Sequence, residues 1–122
     1  MNAPTPTLDQ AVLDRLLDWG GDTLLARMID LFLEAAPARV EEIEDASVTG
    51  DLEALARAAH SLKSSAGNLG AERLRRAVIE LETFGPEATL DWLVARAAAT
   101  RAEYSEVERT LREIRESMAT EG

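Results

Sequence analysis

Histidine occurs once among the 122 residues, as His60. Imidazole has a reference pKa of about 6.5, so near neutral pH much of it holds a free lone pair. Such a nitrogen can attack a phosphoryl group without a separate base. Around it Leu52, Leu55, Ala59, Leu62, Ala66 and Leu69 recur at alternating steps of three and four, which predicts one apolar helical stripe. His60 falls well away from that stripe and is expected to face solvent. Positions three, four and seven residues away share its face. Here they are Ala56, Arg57, Lys63, Ser64 and Gly67. Three are small where helix propensity favours Glu, Lys or Leu, which points to something that must approach closely. The other two are cations in an acidic chain, and Lys63 and Arg57 would offset the charge of an added phosphoryl group. A lone helical histidine is more often an ordinary surface residue. The small neighbours and the two cations weigh against that reading here.

The run His60-Ser61-Leu62-Lys63-Ser64-Ser65-Ala66-Gly67-Asn68-Leu69-Gly70 resembles the signature of histidine-containing phosphotransfer (HPt) domains. That signature runs His-x-Leu-Lys-Gly-(Ser/Ala)-(Ser/Ala), with Leu-Gly a few residues later. Ser64 departs from it, standing where the family usually has glycine, so clearance for a partner is tighter. Phe32-Leu33-Glu34 followed by Pro37, and Gly50-Asp51 ahead of the histidine helix, are also similar to the family. The resemblance extends from about Leu8 to the last helix.

It implies a phosphorelay intermediate. His60 would take a phosphoryl group from an aspartyl phosphate on one response-regulator receiver domain and pass it to an aspartate on another. Lys63 and Arg57 become the phosphoryl-stabilising residues, and Ala56, Ser64, Gly67 and Asn68 the docking surface. The implied partners are receiver domains and a hybrid histidine kinase. No cofactor or metal is expected on this chain, Mg²⁺ being expected on the receiver. The main alternative is an HPt-fold protein-binding module acting independently of phosphorylation. A self-sufficient ATP-dependent kinase is disfavoured, because no Gly-rich phosphate loop or Walker lysine appears. A purely structural helical dimer is the third rival, and a monomer is the expectation.

Thirteen Lys+Arg against 23 Asp+Glu give a formal charge of -10. That balance argues against nucleic acid or an anionic membrane as partner, since phosphates would be repelled. Apolar residues at 46% and charged residues at 30% fit a single globular domain. Cysteine is absent, which excludes disulfides and thiolate chemistry. No stretch approaches the roughly 18 apolar residues of a membrane span, and no signal-peptide pattern opens the chain. A cytoplasmic location is expected.

The elements that must position His60 follow from periodicity and punctuation. Met1 to Thr7 reads as a frayed arm and residues 120–122 as a polar tail, with the bundle from 8 to 119. Thr7 is expected to cap a short leading helix from Leu8 to about Asp18, with Leu8, Val12, Leu13 and Leu16 inward. Trp19 is expected to cover one end of the bundle before Gly20-Gly21 breaks the chain. A second helix runs to about Ser47 and should kink at Pro37. The histidine helix begins at Asp51 or Thr49, and a fourth covers about Ala71 to Phe84. Arg73 or Arg76 would extend the docking surface if they face His60. Gly85-Pro86 precedes a last helix from about Glu87 to Met118. Its seam is Leu90, Leu93, Ala97, Thr100, Tyr104, Val107, Leu111, Ile114 and Met118. The predicted fold is all-α, an antiparallel four-helix bundle with a short additional N-terminal helix. Asp45-x-Ser47-x-Thr49-Gly50 imitates the start of a calcium loop, but Ala56 stands where the bidentate Glu is needed.

Overall fold

The computed structural model describes residues 4–121, and part of the arm expected at Met1 to Thr7 lies outside them. Helices α1 (Gln10–Thr49), α2 (Leu52–Asn68), α3 (Glu72–Phe84) and α4 (Leu90–Glu121) account for nearly all of it, with a 3₁₀ turn at Gly85–Glu87. No strand occurs among the described residues. α1 packs on α2 and α4, α2 on α3, and α3 on α4, closing a ring around one core. The connections between successive helices are short, so each helix must reverse direction.

Sequence accounts for the ends. Asp51 accepts a hydrogen bond from the Ala54 N–H at 3.1 Å and starts α2. Gly50, at φ 74°, ends α1 in the left-handed conformation, its N–H donating to the Ala46 carbonyl. The first cap is Asp9 rather than Thr7, with its side chain accepting from the Ala11 N–H at 3.0 Å. Asp9 is held in that role because its own N–H donates to the Gly70 carbonyl at 2.8 Å.

The span α1 holds two helices that meet at a kink at Gly21 (φ 67°, ψ -163°), where the Gly20-Gly21 break was expected. The dihedrals stay helical through Pro37, and the chain leaves them only at Gly21. Trp19 does not cover the bundle end as expected. It lies beyond Leu16, the last buried position before the interruption, and is 71% exposed. α4 begins at Leu90, after the 3₁₀ turn, and continues beyond Met118 to Glu121.

The core gathers inward stripes from every helix: Ile29, Val40 and Ile43 from α1, Leu62 and Ala66 from α2, Leu74 and Val78 from α3, Tyr104 and Leu111 from α4. Two ion pairs tie α4 to α1. Arg101 bonds both carboxylate oxygens of Glu44, and Arg115 both of Asp30. The arginine hydrogen bonds hold both carboxyls below their ordinary range. Tyr104 is pushed up to about 12 by burial and by its hydrogen bond to Glu108.

Gly70 fixes the α2–α3 corner. Its φ is +70°, and an added Cβ would come within 3.0 Å of the Asp9 and Val12 Cβ atoms and 3.1 Å of the Asp9 backbone nitrogen. Left-handed backbone costs an L-residue about 1–2 kcal/mol, and the crowding adds to it. Gly70→Ala is therefore expected to lower stability by about 2–3 kcal/mol in urea unfolding. A loss under about 0.5 kcal/mol would contradict this role.

Candidate functional site

His60 stands midway along α2 and is exposed. The same helix turns Leu55, Ala59, Leu62 and Ala66 into the core, which fixes its rotation and aims position 60 outward. Ala56, Ser64, Gly67 and Asn68 are exposed with it. Together they make an open helical face around the imidazole. A groove of about 570 Å³ runs between α1 and α2 past Arg39, Asp45 and Arg57, but His60 does not line it.

Gly67 tests whether packing or access explains the small residues. A Cβ at this position would meet only the Arg75 Cδ, at 3.6 Å, an ordinary contact. Glycine costs about 0.5–1 kcal/mol relative to alanine in a helix interior and less in the last turn, where Gly67 lies. Nothing inside the fold requires that cost.

The two cations are engaged. Arg57 pairs with Glu53 one turn earlier at 3.1 Å, both well exposed. Such a surface pair is worth little and leaves the guanidinium free to re-pair. Lys63 is half-buried and reaches α3, its Nζ donating to the Glu82 Oε2 at 3.0 Å. The other oxygen, Glu82 Oε1, is buried with no hydrogen-bond partner. Sequence reasoning missed Glu82. Its register in α3 was the available signal, since Arg75 and Glu82 lie seven residues apart on one face. That face runs antiparallel along α2, with Arg75 beside Gly67 and Glu82 beside Lys63.

The arginine cluster divides differently from the expectation for Arg73 and Arg76. Arg73 pairs with Glu103 of α4, and Arg76 reaches Glu72 and the Thr5 hydroxyl. Arg75 is the member set against the histidine helix. It bonds Glu72 through two hydrogen bonds of 2.9 and 2.8 Å, which hold that carboxyl below its usual range.

The site thus offers an exposed imidazole midway along α2, exposed small residues on the same face, and Arg57 and Lys63 three residues to either side. That arrangement suits acceptance of a phosphoryl group delivered by another protein. No helix among the described residues is long and apolar enough to cross a membrane.

Comparison with known proteins agrees with this geometry. The family model of the Hpt domain matches residues 27–118. The fold is similar to the crystal structure of histidine-containing phosphotransfer protein B from Pseudomonas aeruginosa PAO1, with a TM-score of 0.84 and 27% identity over 93% of this chain and 98% of that one. It is also similar in fold to the HPT domain of a sensor hybrid histidine kinase from Shewanella, with a TM-score of 0.74 and 19% identity over 88% of this chain and 92% of that one. No curated protein sequence matches the chain.

Proposed function

Because the chain belongs to the Hpt domain family, we propose that it relays phosphoryl groups between receiver domains through His60. The observation that carries this reading is the exposed imidazole on a face of α2 made of exposed small residues, one of which, Gly67, packing does not require to be small. In the accepting step an imidazole nitrogen forms the N–P bond as the O–P bond of a receiver aspartyl phosphate breaks, and the aspartate leaves as carboxylate. Passing the group on reverses these bond changes at a second receiver. The receiver brings Mg²⁺ and most of the electrostatic stabilisation, while this chain supplies position. Ala56, Ser64, Gly67 and Asn68 form the surface on which the receiver rests. The interface is small and transient, since a tight complex would stop the shuttle.

The test is transfer from a panel of phosphorylated receiver domains to the purified chain. Acid-labile, alkali-stable label on the chain supports a phosphohistidine. Failure of every receiver from the source genome would favour the phosphorylation-independent binding module.

Lys63 and Glu82 set the balance of the relay. In the unphosphorylated chain Lys63 is held by Glu82. A phosphoryl group on His60 competes for the same ammonium and is repelled by the same carboxylate. Neutralising one partly exposed charge is worth about 0.5–1 kcal/mol, roughly two- to fivefold in an equilibrium. Glu82→Gln is expected to move the equilibrium toward phosphohistidine by about that factor, and Lys63→Met to move it the other way. Equilibrium labelling of chain against receiver reads both. If neither variant shifts the ratio, Lys63 does not reach the phosphoryl group.

A further inference from the structure

The charge of -10 is not spread over the molecule. Residues 40–56 and 77–95 contain ten Asp or Glu and no Lys or Arg, and the rest of the chain holds 13 of each sign. These two stretches meet at one end of the bundle, where α1 turns into α2 and α3 gives way to α4. Cations from outside them neutralise Glu42, Glu44, Glu53, Glu80 and Glu82. Among the described residues the other five, Glu41, Asp45, Asp51, Glu87 and Asp91, have no ion-pair partner, and all five are exposed; Asp51, Glu87 and Asp91 lie nearest the turns.

The same end carries most of the exposed apolar surface. Seven large hydrophobic residues are exposed among those described, and five of them are here: Val48 (65%), Leu52, Phe84, Leu90 (53%) and Val94 (45%). Leu90 is set against the α1–α2 turn, its Cδ2 lying 3.2 Å from where a Gly50 Cβ would be. The Arg101–Glu44 pair aligns α4 with α1, so Val48 falls level with the first two turns of α4, which carry Leu90 and Val94. An apolar patch inside an uncompensated carboxylate rim is a feature of binding surfaces.

We infer that this end of the bundle docks a cationic amphipathic helix of a partner protein. Its apolar face would sit on Val48, Leu90 and Val94, and its Lys or Arg residues would pair with Asp51, Glu87 and Asp91. Charge decides against a second copy of this chain, because two such ends would bring like charges together. The patch centres on α1 and α4, whereas His60 projects from α2, which lies diagonally across the ring from α4. A partner held here leaves the imidazole open, so the surface can serve as an anchor during phosphoryl exchange.

The experiment is a nuclear magnetic resonance titration of the full chain with a synthetic helical peptide of Leu and Lys, leucines spaced for one face. Shift changes are expected to concentrate at residues 48–52 and 87–95. Leu90→Ser/Val94→Ser should weaken binding at least tenfold, and Glu113→Gln/Glu116→Gln at the far end of α4 should leave it unchanged. A Leu–Glu peptide of the same pattern should not bind. Circular dichroism melting of each variant separates lost docking from lost fold, since the replaced side chains are exposed. Absence of binding, shifts spread over every acidic surface, or equal weakening by both variants would overturn the inference. So would self-association through this end in sedimentation.

Discussion

His60→Gln is expected to remove phosphoryl acceptance entirely while leaving the protein folded. Glutamine keeps a polar side chain of moderate size but has no imidazole lone pair to form the N–P bond. The imidazole is exposed and the buried face of α2 is made by other residues, so the unfolding free energy should change by less than about 0.5 kcal/mol. The two readouts are label transferred from a phosphorylated receiver and a denaturant melt on the same preparation. Label on wild type alone, with coincident melts, ties the chemistry to this nitrogen. Label on both would move it to another residue. A variant that fails to fold would show that position 60 carries packing that its exposure does not suggest.

Periodicity revealed which way each helix faces, and it did so well. The stripe is buried from Leu55 through Leu69, which aims His60 outward, while Leu52 at its start is exposed beyond the end of the core. The seam of α4 is buried from Leu93 through Leu111, but Leu90 is exposed and Ile114 and Met118 are only partly covered. Lengths explain the far end, at Ile114 and Met118. At about 1.5 Å per residue α4 is roughly twice as long as α2 or α3, so its far turns lose those neighbours while α1 remains. A seam read from spacing does not say how long its partners are.

The rotation and level of one helix against another were not legible either. Lys63 looked free beside the histidine because its partner Glu82 is 19 residues away on a separate helix. Only the packed pair shows that α3 brings a carboxylate to that height. Arg75, and not Arg73 or Arg76, flanks α2 for the same reason. Thr7 and Asp9 were both competent caps by type, and the contact between the Asp9 N–H and the Gly70 carbonyl selects the second. Composition disclosed the total charge, but its gathering at one end becomes visible only when the fold places residues 40–56 beside residues 77–95.

The second large effect concerns approach to the imidazole, and it separates access from stability. Ser64→Arg should slow transfer from receivers at least tenfold, because a long charged side chain one turn from His60 would occupy space the receiver must enter. Its effect on folding should be slight, as Ser64 is exposed. Gly67→Ala makes the opposite demand on stability. Its Cβ would find open space apart from the Arg75 stem, so even in the last turn of α2 the helix should gain up to about 0.5 kcal/mol and the melting temperature rise by roughly 1–3 °C. Transfer should nevertheless slow, since even one methyl stands in the docking face. A residue kept for packing would lose stability when replaced, whereas one kept for access loses rate and gains stability. Stopped-flow transfer kinetics beside thermal melts of both variants decide between these. Unchanged rates with the stability gain intact would mean that the receiver does not rest on this face, and the small residues around His60 would need another cause.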